Sequence, residues 1–225
     1  MAQTLRDVMI SCGIPNDGVL FNGEDKPDRI AAEFFDNDFD SCLLMTFEDI
    51  ENECKTMSSL TVMQGQVRLT PATKRNLKAF IEWAKYKLIV GENPENEIFP
   101  VADAMEYIRR RKAHQSYIEK SKTLGETAKP SKFTDDTKWI DWLPTFVNFL
   151  RAIPGVNGVP LSYVIRNNAV AALADDPTVD FLENYINRCH LNGQYFDMDN
   201  LEVHTYIMHF ISGNSVAEAK ITAHG

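Results

Sequence analysis

Between Thr70 and Gly91 the apolar residues Leu77, Phe80, Ile81, Ala84 and Leu88 recur at intervals of three and four, the spacing that lines one face of an α-helix. The ends of this stripe are punctuated as a helix needs. Thr70 is suited to accept from the first-turn N–H groups, Pro71 stands where a missing N–H costs nothing, and Gly91 is a natural stop. The same period recurs along the chain, and no convincing run of alternating apolar and polar residues points to a strand. The expected fold class is therefore all-α. At 225 residues and 44% hydrophobic content the chain can bury a sizeable core, as one large domain or two small ones.

Residues 5–14 and 27–35 read as two short helices separated by the turn-rich stretches 16–18 and 22–27. Thr46 and Asp49 form a capping box for a third, running through Cys54. The long helix from Thr70 closes this group. After it, Val101, Ala104, Met105 and Ile108 hold an apolar register for two turns, then give way to Arg109, Arg110, Arg111 and Lys112. Such a helix is expected to pack at its start and to be solvated beyond. Residues 123–132 have the composition of a linker.

The C-terminal part opens with Trp139, Trp142, Leu143, Phe146, Leu150 and Ile153 at helical spacing, with Pro144 either in the first turn or at a kink. Asp176 followed by Pro177 reads as the start of another helix, carrying Val179, Leu182, Ile186 and Cys189 and ending near Gly193. Asp199 and Glu202 read as the capping pair of a last helix, with Leu201, His204, Ile207, Met208 and Ile211, stopped by Gly213. The expected organisation is two helical subdomains, 1–95 and 133–225, joined by a basic helical connector and linker at 96–132.

The net charge of −9 is unevenly spread: −7 over residues 1–100, +3 over 101–140 and −5 over 141–225. A phosphate-binding surface needs clustered cations, so a general nucleic-acid coat is disfavoured. The run Arg109 to Lys112 is the candidate contact for RNA or a protein partner, against the plainer reading of a solvated helix face. Cys12, Cys42, Cys54 and Cys189 match no paired C-x-x-C pattern and read as buried thiols in a reducing compartment. The N-terminal dozen residues carry no signal-peptide pattern, and no apolar span approaches the ~20 residues of a membrane helix. A soluble, cytoplasmic protein without a membrane contact is expected.

Patterns for phosphate cradles, nucleophile elbows and zincin helices are absent from the sequence. The acidic string Asp36-Asn37-Asp38-Phe39-Asp40 begins like a calcium loop, but its sixth position is Ser41 and its twelfth Phe47, so a solvated turn is expected. His190, His204 and His209 with Cys189 are the only ligand-type cluster. His204 and His209 are five apart, about 140° around a helix, and do not share a face. No catalytic residue, metal or cofactor is expected, and the chain reads as non-enzymatic.

Phe133, Trp139, Trp142, Pro144, Phe146 and Leu150, then Gly158, Pro160 and Leu161 within the run to Arg166, and Leu191, Gly193, Phe196, Asp199, Val203 and His204 together resemble the capsid-like gag region of copia-type retrotransposon polyproteins of diatom and algal type. Ile211, Gly213, Asn214, Ala217 and Glu218 extend the match. The resemblance implies a helical structural protein that self-associates into particles around element RNA. Such regions usually leave nucleic-acid binding to a basic tail or a zinc knuckle further on; the knuckle C-x2-C-x4-H-x4-C is absent from this sequence, as is the protease D-[ST]-G. The chain thus looks like the first portion of a gag, a truncated copy, or a host gene derived from one. Residues 30–35, the run from Asp36 to Met45, Thr46 to Ile50 and the long helix after Arg68 are similar to sterile-alpha-motif domains. That likeness implies binding to other helical domains, and with it the alternative of a host adaptor.

Overall fold

The computed structural model describes residues 3–18, 20–21, 24–59, 69–134, 136–167, 170–212, 214, 216–217 and 219. Arg68, the expected helix stop Gly213, Glu218 and part of the turn at 22–27 lie outside the described residues. The fold is all-α, and its contacts divide the chain into two compact units, residues 1–112 and 113–225.

The first unit opens with α1 (Leu5–Ser11), started by a complete capping box: Thr4 Oγ1 accepts from Asp7 N, and the Asp7 carboxylate accepts from Thr4 N. Where only turns were expected, β1 (Leu20–Phe21) and β2 (Glu24–Asp25) pair antiparallel, Leu20 opposite Asp25 and Phe21 opposite Glu24. Two residues a side are too few to show an alternating pattern. Next come α2 (Lys26–Phe35), which ends on Asp36 at φ 50, α3 (Ser41–Leu44) and α4 (Phe47–Ser59). Thr46 and Asp49 make the expected reciprocal bonds at the start of α4, 2.7 and 3.1 Å.

The long helix is α5 (Pro71–Ile89), with Thr70 as its N-cap and Pro71 in its first turn. Leu77, Phe80, Ile81, Trp83 and Ala84 are all buried. Phe80 is the hub of the core, edge-on to Phe35, Phe39 and Phe99 at 5.5 to 6.0 Å. Gln3 ties the chain start to this core, its N–H donating to Glu95 O and its Oε1 accepting from Phe99 N.

After 3-10 turns at Pro94–Asn96 and Val101–Asp103, α6 (Ala104–Thr127) runs across the boundary between the units. Two expectations change here. The helix extends five residues into the stretch expected to be a linker, and it is not simply solvated after its first turns. His114, Tyr117, Ile118 and Ser121 form a second face at helical spacing, part of the second unit: Tyr117 Oη donates to Arg151 O, and the His114 ring stacks on Tyr185 at 5.8 Å. Ile118 is the one aliphatic side chain of these four, so apolar periodicity does not reveal the face.

In the second unit, α7 (Trp139–Arg151) carries Pro144 inside the helix, and a 3-10 turn at Leu161–Ile165 follows a tight loop. The next helix, α8 (Phe181–Arg188), starts four residues later than expected. Asp180 is its N-cap, accepting from Glu183 N at 2.9 Å, while Asp176 closes its own turn with Thr178. The last helix is α9 (Gln194–Ile211), entered through Gly193 at φ 88.

Candidate functional site

The aromatic tract of the second unit is a ladder. Phe133, Trp139 and Trp142 lie 5.4 to 5.8 Å from one another, Trp142 stacks on Phe146 at 4.8 Å, and Phe146 and Phe149 meet Phe210 of α9 edge-on. Trp142, Phe146, Phe149 and Leu150 face the core because helical spacing brings them to one side of α7. Trp142 Nε1 donates to Ser131 O at 2.8 Å, satisfying the indole, and Phe133 N donates to Phe210 O, seating the entry segment on α9.

Trp139 belongs to the same ladder, yet its side of the helix is open. The residue is 54% exposed and its neighbour Ile140 77% exposed. A cavity of about 490 Å3 runs beside it, floored by Trp142, Phe146 and Ile165 and walled by Ile207 and Ile211. Elsewhere on α9, Met198 and Leu201 stand three residues apart and are 50% and 67% exposed, on the side away from buried Val203 and Phe210. One unit thus carries both an apolar hollow and an apolar ridge.

The turn between α7 and the 3-10 segment explains the other residues of the tract. Gly155 N donates to Val159 O, and Pro154 and Pro160 form an isolated antiparallel bridge. Gly158 adopts φ 72, its carbonyl lies 2.9 Å from His114 Nε2, and a Cβ there would sit 2.7 Å from that nitrogen. Leu161 is fully buried.

Asp199 is the clearest departure from the sequence reading. It is no cap: it lies within α9, 2% exposed, with Oδ1 accepting from Val156 N and Oδ2 from Tyr163 Oη, both at 2.9 Å. Burial raises its carboxyl pKa above the usual value, opposed by the two hydrogen bonds. A Cβ on Gly155 would meet Asp199 Oδ2 at 2.3 Å, so the loop and the carboxylate are fitted to each other. An acidic residue near a helix start ordinarily signals a cap, and its partners, 36 and 43 positions away, leave no local trace.

The four basic residues do not form one patch. Arg110 stacks over Tyr86 and Tyr107 and pairs with Glu106; Arg111 pairs with Glu82 at 2.8 Å and lies 4.6 Å over the Phe47 ring. Arg109 and Lys112 are exposed. Aromatic and acidic partners on neighbouring helices split the run between two faces, which sequence adjacency cannot show.

His204 and His209 are exposed on α9, His190 is exposed beside buried Cys189, and the described residues contain no group of three ligand-type side chains able to hold a cation. The acidic string makes a local turn, Asp38 Oδ1 accepting from Asp40 N. The four cysteines are buried, and burial pushes the Cys12 and Cys42 thiols up to about 12. No helix among the described residues is long and apolar enough to cross a membrane. No protein-family model, curated protein or solved structure matches the chain.

Proposed function

We propose that this chain is a non-enzymatic assembly protein of the gag-like type that its C-terminal tract resembles, self-associating in a reducing cytoplasm through the second unit. The observation that carries the reading is the half-exposed Trp139 over an apolar hollow, on a unit that also presents the Met198 and Leu201 ridge. Ridge into hollow is a heterologous contact, which propagates from copy to copy into rings or open arrays. Covering one large apolar side chain contributes only about 1.5–3 kcal/mol, so single contacts are weak and repetition supplies the avidity. RNA contact through Arg109 to Lys112 has less support, since Arg110 and Arg111 are engaged within the first unit. An adaptor that binds one helical partner is the second reading, favoured by the cation-rimmed groove of that unit.

Light scattering after size exclusion, from low micromolar to near-millimolar protein, tests assembly. The mass of the parent chain rises with concentration, whereas Trp139→Ala and Leu201→Ser each stay monomeric. Mixing the two variants restores a heterodimer, because one supplies an intact ridge and the other an intact hollow. A monomer at every concentration refutes the proposal.

A further inference from the structure

The first unit carries a second, differently built groove. Its floor is Leu69, Phe47, half-exposed Met105 and Ile108, and its rim is Lys74, Arg75 and Lys78, around a cavity of about 460 Å3. Two helix faces make it. Pro71, Lys74, Arg75 and Lys78 follow each other on α5, and Met105, Ile108, Arg109 and Lys112 on α6, both at spacings of three, four and seven. The exposed half of the basic run therefore continues a face that is apolar at its start. Arg111, paired with Glu82 and stacked on Phe47, ties α6 to the wall of the groove.

Charge decides which occupant fits. Among the described residues the rim has three cations against one carboxylate, Glu51, which bonds Lys78 and lies 3.8 Å from Lys74. Glu51 demonstrates that a carboxylate is held at this rim. Arg75 and Lys112 are exposed, and Arg109, 3.6 Å from Glu106, continues the same edge along α6. We propose that this groove binds an acidic amphipathic helix of a partner protein, its apolar stripe laid on Phe47, Met105 and Ile108 and its carboxylates paired with Lys74, Arg75 and the outer cations of α6.

Single-stranded RNA fits less well. Bases are held by stacking on open aromatic faces, and the Phe47 ring, the one aromatic among the described lining residues, is already engaged by Arg111 and by Lys78 at 5.4 Å. A short helix with an apolar face also gains from the groove floor, which a phosphate backbone does not. The inference is independent of self-association, which uses the other unit.

A phage-displayed library of random peptides about 16 residues long, some four helical turns, is selected on the full chain. Enriched peptides are expected to carry apolar residues at i, i+3 or i+4, and i+7 with Asp or Glu between them. Measured by fluorescence anisotropy, their affinity falls about tenfold in Arg75→Glu and about tenfold in Met105→Ser, both exposed positions, with unchanged circular dichroism. Trp139→Ala binds them as the parent does, which separates this groove from the self-association surface. Four results overturn the proposal: no peptide is enriched, the enriched peptides lack carboxylates or the apolar period, both variants bind like the parent, or a single-stranded RNA oligonucleotide binds more tightly than any peptide and is lost in Arg75→Glu. Selection failing while the parent dimerises through Arg75 points to a second copy as occupant and overturns it equally.

Discussion

Replacing Asp199 with Ala removes the acceptor of two buried donors at once. Val156 N–H and Tyr163 O–H each lie 2.9 Å from its carboxylate, and the residue is 2% exposed, so water does not readily replace it. An orphaned buried donor costs about 1–3 kcal/mol, and losing a buried carboxylate relieves part of that through its own desolvation. The net loss expected for the second unit is about 2–4 kcal/mol. Hydrogen exchange read by mass spectrometry on the full chain locates it: peptides from α9 and from residues 155–165 lose about 30-fold to several-hundred-fold of their protection. Tyr163→Phe combined with Asp199→Ala is less harmful than the sum of the singles, with a coupling of about 1 kcal/mol or more. A pH signature accompanies this. The folded carboxyl pKa is raised above 3.8, so the native state binds the proton more readily, and this group's contribution to stability declines as pH rises from 3.8 through the raised value. Asp199→Asn lacks that slope. Protection of α9 within threefold of the parent in Asp199→Ala would refute the reasoning.

Two further outcomes test the turn and the thiols. Gly158 and Gly18 share a left-handed backbone, φ 72 and 69, but a Cβ meets His114 at Gly158, whereas at Gly18 none of the described residues lies within 4 Å. Denaturant unfolding should show Gly18→Ala costing about 1 kcal/mol and Gly158→Ala about 1–2 kcal/mol more; equal losses would exclude the clash. Cys12 and Cys42, with thiols pushed up to about 12, hold about one part in ten thousand thiolate at pH 8, so native protein resists a disulfide reagent at both while denatured protein reacts fully. Rapid native labelling of either residue would show its pocket to be open.

Periodicity and caps made the helices legible because both act within three or four residues. Thr70 with Pro71, and Thr46 with Asp49, start α5 and α4 as their side chains dictate. The same local logic misplaced Asp176 and Asp199. Both have side chains that can cap a helix, and a stronger cap at Asp180 and a buried loop 43 residues from Asp199 decided otherwise.

The sequence by itself determined that this chain is helical, where most helices begin, and that the paired tryptophans share a helix with the core residues Phe146 and Leu150. Tertiary structure alone decided that Trp142 is sealed while Trp139 stands beside an open hollow, because the segment before α7 is seated on α9 by a bond spanning 77 positions, Phe133 to Phe210. It also decided which cations of the run Arg109 to Lys112 face outward. That choice rests on Glu82, Phe47 and Tyr86, whose positions beside α6 are set by packing across a helical core rather than by neighbours along the chain.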